Sequence, residues 1–285
     1  MFEFLIYAFG ITISGYLFYA IIFPRLPSVV RYRIKMAVYY LHLFTHGFLS
    51  TFPSLLKPKD PRNFRYPMVL MWFTTRLFGI RVQVLDKNRI RDLPGNFVVI
   101  SNHQSSLDLI GISHVWPSPC ILVAKKSLLF AGWFGLAGWL CGCVFVSRGR
   151  QSAIAEMRRL GDRLANASSR LRVWIFPEGT RQSGGEFGEF KKGAFHLAVQ
   201  AQVPVVPVVF SSYSNFYSKR QRRFDSPGLV LARVLEPVTT QGLTESDVPA
   251  LSERVRAVMS AEYGPLSEEA AKVASAAADN EIKAD

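Results

Sequence analysis

The stretch S-L-L-F-A-G-W-F-G-L-A-G-W-L-C-G-C-V-F-V-S, residues 127–147, carries no charged side chain over 21 residues. As a helix it could cross the roughly 30 Å of a bilayer core. Its glycines and its short apolar end, Val144 to Val146, instead fit a buried helix followed by a buried strand of an α/β core. The choice decides the fold, because a span here would put the polar segments on either side, residues 102–108 and 176–181, in opposite compartments. Read as helix and strand, it leaves a chain that alternates between the two, with strands predicted at 80–85, 97–101, 121–124, 144–146, 173–176, 205–210 and 229–235. Helices fill the gaps. The clearest are 151–167, with Ile154, Met157, Leu160 and Leu164 at helical spacing, and 244–263, with Leu251, Val255, Val258 and Met259. The fold class is therefore α/β, a mixed and largely buried sheet flanked by helices.

Two further uncharged runs lie upstream. Phe4 to Phe23 is too long for the apolar part of a signal peptide, and Glu3 stands where that signal needs a base, so a transmembrane anchor is predicted. Met36 to Leu56 is broken by His42, Thr45, His46, Gly47, Ser50, Thr51 and Pro53. Arg25, Arg31, Arg33 and Lys35 precede it, while Lys57, Lys59, Arg62 and Arg65 follow, which favours the cytosolic side for both ends and a re-entrant or interfacial helix. The domain reading is a membrane-embedded helical pair at 1–60, an α/β domain at 61–264, and an acidic tail at 265–285 expected to be disordered or a frayed helix.

Hydrophobic residues at 49% and charged residues at 19% exclude a disordered polymer, and a net charge of +13 points to a polyanionic partner: nucleic acid, an anionic bilayer or phosphorylated small molecules. The three cysteines, Cys120, Cys141 and Cys143, are odd in number, lack metal or redox spacing and sit among apolar residues, so inert buried thiols are expected.

Chemistry concentrates at two strand ends. After strand 97–101 comes N-H-Q-S-S-L-D, Asn102 to Asp108, in which His103 leaves the strand and Asp108 follows as the chain turns into a helix. A carboxylate holding one imidazole nitrogen as a donor leaves the other free to take a proton, which is how a base activates a hydroxyl. There is no G-x-S-x-G elbow, and Ser105 and Ser106 are better placed to cap the next helix than to attack, so the hydroxyl is assigned to the substrate. The second segment, F-P-E-G-T-R at Phe176 to Arg181, makes a Pro/Gly turn where amides and a guanidinium can meet an anion. No further ligand-type residue joins His103 at metal spacing, so no metal is expected.

Asn102 to Asp108, Gly142 to Arg148, Phe176 to Arg181 and Val203 to Val208 resemble, in order and spacing, the four motifs of the glycerolipid acyltransferases, and most of all those of 1-acylglycerol-3-phosphate acyltransferases. The resemblance implies transfer of an acyl group from acyl-CoA, a co-substrate with no resident cofactor, to the sn-2 hydroxyl of lysophosphatidic acid at an intracellular membrane, the endoplasmic reticulum, from its cytosolic side. It implies His103 as general base and Asp108 as its orienter, with Glu178, Gly179, Thr180 and Arg181 binding the acceptor's glycerol phosphate together with Lys125 and Arg148. Ser147 departs from the Asp or Asn common at its position in the family, which bears on the acceptor's head group. Another lysophospholipid acceptor and a non-catalytic binder of anionic lipids are the competing readings. The mix of Tyr213, Phe216, Tyr217 and Phe224 with Lys219, Arg220, Arg222 and Arg223 could stack single-stranded nucleic acid. Beside an N-terminal anchor, contact with an anionic bilayer or with the phosphates of CoA is the favoured reading, and no nucleic acid partner is expected.

Overall fold

The computed structural model describes residues 22–147, 149–168, 170–182 and 187–282. A seven-stranded sheet forms its centre, built from β1 (Ile80–Leu85), β2 (Phe97–Ser101), β3 (Cys120–Lys125), β4 (Val144–Val146), β5 (Arg172–Ile175) and β6 (Val205–Phe210). After a small hairpin of β7 (Tyr217–Ser218) and β8 (Arg223–Phe224), β9 (Gly228–Val234) completes it, in the order β1-β9-β6-β2-β5-β3-β4. The five strands from β6 to β4 run parallel, whereas β9 pairs antiparallel with β6 and carries β1 parallel to itself. The mixed sheet is as expected from the sequence.

Helices cover both faces, as parallel strands require. α1 (Ser28–Ser54), α2 (Arg65–Leu77), a short α3 (Asn88–Arg91) and α4 (Asp108–Val115) contribute to one core. α5 (Gly132–Leu140) packs on α1, and α6 (Arg150–Ala165), α7 (Gly193–Ala201) and α8 (Val248–Ile282) build the opposite core. β2 sits between the two: Phe97 and Val99 enter the first core, Val98 and Ile100 the second, and all four are fully buried. Each such side chain contributes roughly 1.5–3 kcal/mol, so the strand that carries His103 is anchored from both sides.

Residues 127–147 fold as helix and strand, and the two polar segments share one side of the sheet. A Cβ on Gly47 of α1 would stand 2.7 Å from backbone atoms of Trp133 and Phe134, so α1 and α5 touch main chain to main chain. α1 is one helix of 27 residues. It buries Met36 and Tyr39 and exposes Leu41, Phe44 and Phe52. Among the described residues no helix is long and apolar enough to cross a membrane. The predicted anchor at 4–23 falls almost wholly outside the described residues.

One expectation needs correction: the segment after Pro265, read as disordered or a frayed helix, continues α8 as regular helix to Ile282. Leu266 and Ala270, one turn apart, are fully buried against the second core, and Arg233 of β9 binds Glu262 at 2.6 Å and Glu269 at 3.6 Å. A composition rich in Ala and Glu is equally that of a good helix, and the two apolar contacts supply the packing that composition alone does not reveal. The aromatic and basic stretch at 213–224 is not an exposed stacking platform. Tyr213, Phe216, Tyr217 and Phe224 are buried in the first core, leaving Lys219, Arg220 and Arg222 outside.

Of the three thiols, Cys120 and Cys141 are fully buried and Cys143 is half-buried, and burial pushes the Cys141 thiol up to about 12.

Candidate active site

The parallel strands deliver their carboxyl ends to one edge, the place where open α/β sheets build their sites. His103 stands just past β2, and the Pro177–Gly179 turn just past the neighbouring β5. Asn102, 2% exposed, fastens the β2 end by donating to the Phe210 carbonyl and accepting from the Phe210 N–H, both at 2.9 Å.

His103 Nδ1 lies 2.5 Å from Asp108 Oδ2, and the same oxygen accepts the Gln104 N–H at 2.8 Å while Oδ1 accepts that of Ser105 at 3.0 Å. The carboxylate serves here as an acceptor, so Nδ1 carries the proton and Nε2 is left as the basic nitrogen. Nothing among the described residues hydrogen-bonds Nε2. Phe176 stacks on the imidazole with ring centres 4.1 Å apart, and the His103 side chain remains about one-fifth exposed. Ser105 Oγ accepts the Leu107 N–H at 2.9 Å in the turn ahead of α4, whereas the helix start takes no side-chain cap, so neither Ser105 nor Ser106 caps it as expected. α1 supports this loop, since Tyr39, fully buried, donates its hydroxyl to the Ser106 carbonyl at 2.6 Å.

Two hydrogen bonds join the sequence-distant motifs. Glu178 Oε1 accepts the His103 N–H at 2.8 Å, and the Gln182 N–H donates to the His103 carbonyl at 2.7 Å. Arg181, next to Gln182, is exposed, and its charge acts on the phenols of Tyr39 and Tyr217. The turn closes with the Gly179 N–H on the Phe176 carbonyl at 3.2 Å, and Gly179 has φ +65°, where a side chain is strained. Lys125 ends β3, one strand beyond β5, with its side chain exposed. Arg148 lies outside the described residues. Ser147 hydrogen-bonds Ser152 through their hydroxyls, and its N–H donates to Glu156 Oε2 at 3.2 Å, so it faces the start of α6.

Sequence reasoning missed Lys191. Its N–H donates to the Pro177 carbonyl at 2.8 Å, and its Nζ stands 2.5 Å from where a Cβ on Gly179 would lie. A second cation thus lies over the turn, in space that only glycine leaves open. The signal in the sequence was faint: two lysines beside Gly193, ten residues past Arg181.

Glu178 is 4% exposed, and among the described residues no hydrogen-bond partner meets its buried Oε2. Burial pushes its carboxyl up to about 7, helped by the nearby Asp108 and opposed by the backbone N–H groups of His103 and Gly188. A carboxyl whose pKa rises on folding favours the folded state below its ordinary value of 4.5 and loses that advantage as pH climbs to about 7. Glu178→Gln, which cannot titrate, should therefore gain melting temperature relative to the wild type between those two pH values. Parallel Tm-against-pH curves would instead mean a carboxyl whose pKa folding leaves unchanged.

A family model described as Acyltransferase matches residues 81–211, which contain both motifs. The 1-acyl-sn-glycerol-3-phosphate acyltransferase alpha of Mus musculus is 45% identical over 80% of each chain. The beta form of Homo sapiens is 42% identical over 80% of this chain and 81% of its own. The chain belongs to the 1-acyl-sn-glycerol-3-phosphate acyltransferase family. The fold agrees: the crystal structure of the 1-acyl-sn-glycerophosphate (LPA) acyltransferase PlsC from Thermotoga maritima superposes with a TM-score of 0.59 at 25% identity, covering 86% of this chain and 94% of that one. The acyltransferase motifs found in the sequence therefore sit on the fold of that family.

Proposed function

We propose that this acyltransferase moves an acyl group from acyl-CoA to the free sn-2 hydroxyl of 1-acylglycerol-3-phosphate, giving phosphatidic acid, on the cytosolic side of an intracellular membrane, the endoplasmic reticulum. The observation that carries the reading is the junction of the two motifs, in which one residue, His103, is hydrogen-bonded to its orienting carboxylate and, through its own main chain, to the Glu178–Arg181 turn.

His103 Nε2 takes the proton of the acceptor hydroxyl as its oxygen attacks the thioester carbonyl. Asp108 stabilises the imidazolium that forms. The tetrahedral intermediate collapses by breaking the carbon–sulfur bond, and the imidazolium returns its proton to the departing CoA sulfur. A thioester is already activated, so no covalent acyl-enzyme is required. Arg181, with Lys191 beside the turn and Lys125 from a nearby strand end, supplies the positive field for the acceptor's phosphate, and the resemblance adds Arg148 to them. Glu178 holds the turn to His103 and presents its buried Oε2 towards the glycerol.

Support for an anionic membrane surface comes from an apolar face on the described helices. Leu41, Phe44, Phe52, Leu56, Phe73 and Phe130 are each at least 46% exposed, and the exposed Lys57, Lys59, Arg62, Arg65 and Arg76 flank them. Apolar side chains rimmed by cations match the acyl boundary and the head groups of an anionic leaflet.

The test is acyl transfer by detergent-solubilised protein with oleoyl-CoA and a panel of lysophospholipids, reading free CoA. Release that is greatest with lysophosphatidic acid is the expected result. Preference for lysophosphatidylinositol would move the assignment to another head group, and no release with any acceptor would leave a lipid-binding protein.

A further inference from the structure

At the other end of the sheet lies a cationic group that acyl transfer does not use. Arg172 opens β5 in register with Phe97, so the full length of β2, roughly 20 Å at the rise of a strand, separates it from His103. Arg172 is 4% exposed. It donates from Nη1 to the Ser118 carbonyl at 3.1 Å, and its guanidinium lies 5.1 Å from the centre of the Phe97 ring. Among the described residues no carboxylate pairs with it, and its Nε is buried without an acceptor. Burial, and then the neighbouring Arg170, depress its pKa. A guanidinium taken out of water with no anion beside it is a costly arrangement.

Arg172 lines a cavity of ≈ 340 Å³ with Lys87, Arg91, Arg170, Trp116 and Pro117 among its walls. Among the described residues no carboxylate lines it. Arg91 is held by Asp92 at 2.8 and 2.9 Å, which leaves Lys87, Arg170 and Arg172 as cations without an anionic partner there. The Trp116 indole Nε1 is also buried without an acceptor. The charged and orphaned polar side chains of the wall are all donors, and the volume is that of a small-molecule site.

We propose that this cavity is a second anion site, distinct from the acyl-transfer site, that takes a small phosphate-bearing ligand with more than one charged oxygen group. A ligand carrying several anionic acceptors neutralises the three cations together, which a neutral sugar or an amine does not. Phosphorylated metabolites and phosphorylated lipid head groups both carry this chemistry. The proposal stands apart from the acyl-transfer reading, because no residue is shared between the two sites.

The probe is inorganic pyrophosphate, titrated calorimetrically into the full-length protein in detergent. Wild type and Arg181→Ala should both bind it saturably, whereas a Lys87→Ala/Arg170→Ala double variant should bind at least about tenfold more weakly. Both substituted side chains are exposed, so the double variant should keep the wild-type Tm and acyl-transfer rate. Absence of binding to the wild type, equal binding by the double variant, or loss of binding in Arg181→Ala alone would each overturn the proposal, the last by placing pyrophosphate in the acyl-transfer site. Competition by phosphatidylcholine vesicles containing phosphatidylinositol 4-phosphate, and not by plain phosphatidylcholine, would assign the phosphate to a lipid head group; its absence would assign it to a soluble metabolite.

Discussion

His103→Ala is expected to lower turnover by at least about a hundredfold while leaving lysolipid binding nearly unchanged. A positioned general base accelerates proton transfer by roughly 10² to 10⁴, and Asp108 is no substitute, since it spends both oxygens on His103, Gln104 and Ser105. Asp108→Asn should behave almost as badly. Its amide would turn an N–H donor either on the Nδ1–H and Gln104 N–H together, which costs the tautomer with a basic Nε2, or on the Ser105 N–H, which loosens the loop that carries His103. The measurement is single-turnover CoA release at saturating acceptor, paired with equilibrium binding of the lysolipid. Wild-type turnover in His103→Ala would remove this residue from the mechanism.

Arg181→Ala should act on a different constant. A charge-assisted hydrogen bond is worth about 1.5–3 kcal/mol, so kcat/KM for the acceptor should fall by roughly ten- to a hundredfold, mainly through KM. Arg181→Lys should recover only part, because an ammonium cannot offer the planar fork that fits phosphate. Lys191→Ala, removing the second cation over Gly179, should raise the same KM several-fold and leave the KM for acyl-CoA alone. If neither substitution moves the acceptor's KM, the phosphate end of the substrate lies elsewhere.

The sheet was easy to read where burial is symmetrical. Residues 97–101 and 205–210 are continuous apolar runs buried on both faces, ended by polar residues, and their predicted limits coincide with β2 and β6. β3, β5 and β9 shifted by a residue or so, because their ends are set by pairing partners such as Cys120 with Arg172, which no local pattern announces. The His103–Asp108 pair was legible because a strand end and a helix start fix both residues within one short segment. Lys191 was not, because its place over Gly179 depends on a loop returning from a helix start to a turn. The fate of the aromatics at 213–224 was equally hidden. Alternating with cations they look like a surface, and only the packing of α1 and β9 around them turns the rings inward.

The hydroxyl of Tyr39 on the Ser106 carbonyl has a practical consequence. A soluble fragment made by deleting everything before residue 60 would strip a fully buried side chain from beneath the loop that aims the catalytic imidazole. Engineering a detergent-free enzyme should therefore keep this backbone whole and recolour its outer side, exchanging Leu41, Phe44 and Phe52 for polar residues one at a time.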